Sequence, residues 1–216
     1  MMHIASPFFY EEVRADMQKL VGREYVFFYE GVRPGTEESL ERLGALLGTD
    51  VSPEMYDALG RLAGLASQKP EDFIAILPST NVDISTDDIV RIAQEQNIQN
   101  PSETPTDLIQ KIEQYYPTMN PAQKYIAYVF SRAAMNMILR VYERPDIIQR
   151  LQEQIPVFSV ILGERNKNIA LTIEASPSQN IYMHYGALHY SGVLELLQQK
   201  DPRWKEIART EFVVIR

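Results

Sequence analysis

The chain has 216 residues, 45% of them hydrophobic and 23% charged, which suits one folded domain with a sizeable core. A formal charge of −8 argues against a nucleic-acid partner, because phosphate recognition needs clustered Lys and Arg. With no cysteine, disulfides, thiolate metal sites and a cysteine nucleophile are excluded.

The opening MMHIASPFFYEEVRADM is acidic and lacks a long apolar core, so it does not read as a signal peptide. The most apolar stretch, Tyr125–Val141, is broken by Ser131, Arg132, Asn136 and Arg140, too polar to span a bilayer. The expectation is a soluble chain, cytoplasmic by default.

In chain order, Ser6-Pro7 pairs an N-cap with proline at the first helical position, and the helix should run to about Leu20 and end near Gly22. EYVFFYE, Glu24–Glu30, is a nearly continuous apolar run, as expected of a strand covered on both faces. From Thr36 to Gln68 the pattern is helical in two pieces, divided at Gly48–Pro53. FIAILP, Phe73–Pro78, fits either a strand or a short helical turn. Ser85 and Asp88 form a capping box that opens a helix to about Gln96. A polar linker over 97–106, a helix near Asp107–Tyr116 and a long helix from Pro121, ended or kinked before Pro145, complete a helical middle.

The last third changes character. VFSVIL (Val157–Leu162), NIYMHYG (Asn180–Gly186) and EFVVIR (Glu211–Arg216) read as strands, with helices over ERNKNIALTIEA and Gly192–Lys200 between them. Strand and helix alternate, so the expected fold class is α/β with a mainly parallel sheet of βαβ-type units. His3 is followed by a helix and a strand ending at Glu30, and His189 by a helix and a strand ending at Arg216. Both spacings are 27 residues, an echo that points to two related halves.

In an open parallel sheet, ligands bind beyond the carboxyl ends of the strands. Glu30, Glu164-Arg165-Asn166, His189 and His3 fall there on this reading. Imidazoles and carboxylates meeting at such a crevice suit a divalent metal with nitrogen and oxygen ligands, which would acidify a bound water. Glu30 alone would suit a metal-free general base. Gly186 should let the chain leave its strand at an unusual φ and carry His189 over the sheet end. Each residue also has a plain structural reading. His189 can simply start a helix, Glu30 can be a solvated turn carboxylate, and Glu164-Arg165-Asn166 can open a helix. His184 reads as a packed or surface histidine beside the sheet, and Asp83 in NVDIST as a turn or cap residue. The clustered tyrosines, including Tyr125 and Tyr128, read as core or groove lining.

Gly186-Ala187-Leu188-His189, with Glu164-Arg165-Asn166 about twenty residues upstream and FFYEGVRPG earlier, resembles the TraB/GumN/TIKI family. That family's hallmark is two Gly-x-x-His motifs with a Glu between them. The second motif is complete here and Glu30 matches the Glu. The first is represented by His3, whose glycine would fall before residue 1, so the strand that should feed His3 is expected to be missing. The resemblance covers the start to about residue 35 and again 157–216, leaving 36–155 as a helical insertion in a single 1–216 domain.

The resemblance implies an α/β fold with two related halves facing one cleft. It implies a metal-dependent hydrolase, peptidase-like, in which His3, Glu30 and His189 are catalytic. The same three residues with Glu164 would hold the metal, and Arg165, Asn166 and Arg33 would bind substrate. TIKI-branch members are described as Mn- or Co-dependent proteases. More distant relatives include erythromycin esterases, which activate water with His and Glu, and haem-associated ChaN proteins. The alternative is a binding module that sequesters a peptide or a haem-like ligand, its groove lined by some of the twelve tyrosines and eight methionines. A third expectation is a homodimer formed across the sheet edge that the missing strand would expose.

Overall fold

The computed structural model describes residues 4–48, 53–69, 71–99, 114–142, 153–207 and 212–215, with Arg144, Ile147 and Arg150. Two small sheets organise the chain. β1 (Ile4–Ala5) pairs antiparallel with β3 (Ala66–Ser67), and a three-stranded parallel sheet has the order β4-β2-β5. In that sheet β2 (Val26–Tyr29) is central, with Phe28 beside Thr80 of β4 (Ser79–Asn81) and Met183 of β5 (Ile181–His184). The α/β class therefore holds.

Local chemistry accounts for the helices. Ser6 Oγ accepts the Phe9 N–H and Pro7 occupies the first turn of α1 (Pro7–Gln18), whose buried stripe is Phe9, Tyr10, Val13 and Met17. That stripe packs with Phe27 of β2 and with Phe73 of the short α4 (Glu71–Ile74). FIAILP thus takes its helical alternative. α2 (Glu37–Leu47) ends on Gly48 in the left-handed region, and α3 (Pro53–Ala63) follows, as the Gly-Pro punctuation predicts. The capping box forms: Ser85 Oγ accepts from Asp88 N and Asp88 Oδ2 accepts from Ser85 N, starting α5 (Thr86–Glu95). α6 (Pro121–Tyr142) is the long helix expected from Pro121. The helix expected over Asp107–Tyr116 and the linker before it lie mostly outside the described residues, as does His3.

Two strand expectations fail. VFSVIL is the first part of α7 (Pro156–Ala175), a single 20-residue helix that also contains ERNKNIALTIEA. Its residues look like a strand because α7 is apolar on more than one side. Val157 and Val160 pack with α2 and α5, whereas Ile169 and Ala170 pack with Val193 and Leu197 of α8 (Ala187–Lys200). Phe212–Ile215 of EFVVIR form no strand. They lie against the start of α1 with a bend at Val214, whose O accepts the Ser6 N–H at 2.8 Å, and the Phe212 ring meets Phe9 edge-on.

Among the described residues, no helix is long and apolar enough to cross a membrane.

Candidate functional site

The carboxyl ends of all three parallel strands meet at one buried polar cluster. Glu30 follows β2, Asp83 stands two residues beyond β4, and Gly186 follows β5 and leads into α8. Across these ends runs the middle of α7, which delivers Arg165 and Asn166. Asn168, one turn on from Glu164, fastens α7 to the sheet by donating its amide N–H to Val82 O at 2.6 Å.

Arg165 is the hub. Its Nη2 donates to Glu30 Oε1 at 2.7 Å and to Asp83 Oδ2 at 2.6 Å, and its Nε donates to Asp83 Oδ1 at 2.8 Å. Arg165, Glu30 and Asp83 are 5%, 5% and 2% exposed, so these are charge-assisted bonds in a dry setting. Burial alone would lower the Arg165 pKa. The Asp83 hydrogen bonds and the charges of Glu30 and Asp83 outweigh it and hold the guanidinium protonated. The backbone completes the cage. Glu30 Oε2 accepts the Gly186 N–H at 2.6 Å, which places the carboxylate at the positive end of α8. Asp83 accepts from Gly31 N and Ile84 N, so it is a turn residue as well as an ion partner.

His189 lies in the first turn of α8, buried, with its Nδ1 2.7 Å from Asn166 Oδ1. An amide oxygen only accepts, so Nδ1 carries the proton. Nε2 is then unprotonated and lies 3.8 Å from Glu30 Oε1. Burial, followed by the positive charge of Arg165, lowers the His189 pKa to about 4 against the opposing pull of Glu30 and Asp83. The ring is neutral at pH 7. Gly192, one turn along α8, makes room for this arrangement, since a Cβ there would sit 2.2 Å from Asn166 Nδ2.

The structure thus brings Glu30, Arg165, Asn166 and His189 together. Arg165 and Asn166 turn their polar atoms to Glu30, Asp83 and His189, so here they orient the cluster and do not line an open substrate surface. Two expected members stand elsewhere. Glu164 points off α7 to Lys167 Nζ, 2.7 Å away on the exposed side, because successive helix residues diverge by about 100°. Arg33 has an exposed side chain and joins the region through its backbone, bridging Ser85 beyond the end of β4. Gly186 does not need glycine's freedom at φ, which is −53° with ψ 138°; its contribution is the N–H given to Glu30.

Asp83 is the member that sequence reasoning took for a turn residue. Tyr185 was missed as well. Its buried hydroxyl has no hydrogen-bond partner among the described residues, and its ring meets His189 edge-on at 5.8 Å. Burial holds that hydroxyl protonated far above the ordinary phenol range. His184 packs against Phe73 and Phe27 beside the sheet, as expected, with Nδ1 unpartnered, and burial lowers its pKa to about 4.

A divalent ion would find two donors here, His189 Nε2 and Glu30. Among the described residues no group of three or more His, Cys, Asp or Glu could hold a metal. Two donors do not make a protein metal centre, which takes three or four, so these residues do not by themselves fit one. No family model matches the chain, and neither a curated protein nor a solved structure matches it.

Proposed function

We propose that the cluster is the water-activating centre of a hydrolase that cleaves an amide or ester bond, with Glu30 as general base. The observation that carries this reading is the neighbourhood of two groups that can accept a proton. The neutral His189 has its Nε2 3.8 Å from the Glu30 carboxylate, with Asn166 fixing the tautomer from behind. A water about 2.8 Å from each atom would donate one proton to each and turn its own lone pair outward. Glu30 then takes the proton as the water attacks a carbonyl carbon, and the proton passes on to the leaving amine or alcohol. Arg165 and the Gly186 N–H keep the carboxylate from rotating away, and Asn166 does the same for the imidazole.

The same reading takes the fold as two related halves of the TraB/GumN/TIKI type, in which His3 is the counterpart of His189. His3 would then be the third donor that a metal centre needs, and no step above depends on it.

The test is turnover of an ester panel and a mixed peptide library, read by mass spectrometry, for wild type, Glu30→Gln and His189→Ala. Measurements run with chelator and with added Mn, Co or Zn. Glu30→Gln should lower the rate at least about 100-fold with helix content unchanged. A metal-stimulated rate lost with His189→Ala would bring His3 into the centre. Undiminished turnover by Glu30→Gln sinks the reading. Saturable peptide or haem binding that survives Glu30→Gln, with no cleavage of anything in the panel, establishes the binding module instead.

A further inference from the structure

Among the described residues, α6 is anchored chiefly on one side. Its inner face lies on α3: Arg132 Nη1 donates to Ala63 O at 3.3 Å, the Tyr128 ring covers Gly64, and Met135 packs with Ile4, Ala63 and Leu65. Its outer face presents Tyr125, Ile126, Val129, Phe130, Met137 and Ile138, with Phe130 72% and Tyr125 and Met137 each 67% exposed. Exposed apolar residues scattered singly are normal, but a continuous face along a 22-residue helix is not.

We propose that this face is the seam of a symmetric dimer, its occupant the same helix of a second copy of this chain. Three observations favour that occupant. Ile126, Phe130, Ala133 and Met137 follow one another at spacings of four, three and four, the rhythm by which one helix packs along another. Ala133 and Ala134 sit in the middle of the face, where two helix backbones must approach most closely. The six large side chains expose roughly 700 Å² per copy, close to the about 800 Å² that each partner contributes to a standard stable interface.

Lys124, Arg132 and Arg140 are the charged residues of α6, which has no carboxylate between Pro121 and Tyr142. Parallel and antiparallel pairs both set like charges opposite one another, so the apolar face and not charge holds the seam. A two-fold axis closes the assembly at two chains.

Light scattering coupled to size exclusion, and sedimentation velocity from 5 to 100 µM protein (about the range in which such an interface shows), test it. Wild type should have the mass of two chains. Phe130→Glu and Met137→Glu should each weaken association about 100-fold or more, with helix content and unfolding midpoint of the monomer retained, since both positions are solvated in the single chain. Ile207→Glu, at a residue 88% exposed elsewhere, should leave the dimer intact. A wild type that is monomeric at the highest concentration overturns the proposal, and so does a dimer that persists in Phe130→Glu and Met137→Glu. A monomer whose outer α6 residues are shielded from oxidation or labelling would also overturn it, assigning the cover to another part of the same chain.

Discussion

Replacing Arg165 by Met separates burial from geometry as the source of the cluster's energy. The substitution keeps length and apolar bulk and removes the charge, leaving Glu30 and Asp83, 5% and 2% exposed, without the guanidinium that bonds both. Stranding a buried charge in this way costs about 3–5 kcal/mol. That is a large part of the 5–15 kcal/mol that stabilises a typical domain. For a chain of this size each kcal/mol moves the unfolding midpoint by roughly 2–4 °C, so the expected fall is about 10 °C. A matched control exists on the surface. Arg203 makes the same kind of forked contact with Asp201, through Nε at 3.0 Å and Nη2 at 2.8 Å, but its side chain is 90% exposed. Arg203→Met should not shift the midpoint measurably, because solvent screens that pair in full. Differential scanning calorimetry of both variants at pH 8 completes the experiment. Equal effects of the two substitutions would refute the argument that burial decides.

Two further outcomes follow from the histidines and from Gly192. His184 and His189 have folded-state pKa values lowered from 6.5 to about 4, so the unfolded chain binds more protons between those values. Their contribution to stability is complete above pH 6.5 and is lost as pH falls through about 4, up to about 3 kcal/mol each. His184→Leu, which also removes the unpartnered Nδ1, should flatten about half of that acid-side slope in urea titrations; an unchanged slope would show that His184 titrates normally. Gly192→Ala puts a Cβ 2.2 Å from Asn166 Nδ2 and should turn the Asn166 amide off His189 at a cost of about 1–3 kcal/mol. The readout is the slowly exchanging His189 Nδ1 proton in NMR, whose persistence in the variant would refute the role given to Gly192.

What the sequence made legible follows from how each element meets its neighbours. β2 and β5 were readable because a central parallel strand and its partner are covered on both sides, which leaves the runs YVFFY and IYM. VFSVIL meets that criterion equally well and is helical, because α7 is wedged between two apolar clusters and has little polar face over its first turns. The discriminating signals were its length and Pro156 at the first helical position. Glu30, Arg165, Asn166 and His189 could be picked out by type and by their expected places at strand ends, although the strand expected before Arg165 and Asn166 is part of α7. Their partnership could not, because Arg165 and Asp83 are 82 positions apart and no local pattern reports such a contact. Asp83 therefore looked like what it also is, a turn residue bonded to the N–H of Ile84.

The charge count of the cluster bears on what it is for. Glu30 and Asp83 face one guanidinium, so the trio carries one formal negative charge in excess. A purely architectural ion cluster gains nothing from such an excess, since each unmatched buried charge has lost its hydration without a full Coulombic return. Here the excess is shared with backbone N–H groups from Gly186, Gly31 and Ile84. Asp83 is held by both its oxygens on Arg165 and is the committed ion partner. Glu30 meets Arg165 through Oε1, the oxygen that also lies near the neutral His189. Glu30 is thus the carboxylate next to the imidazole, the asymmetry on which its proposed role as base rests. A symmetric sharing of Arg165 by the two carboxylates would have no such consequence. Comparing Asp83→Asn with Glu30→Gln resolves the two. If the asymmetry is real, Asp83→Asn lowers stability the more and Glu30→Gln lowers turnover the more.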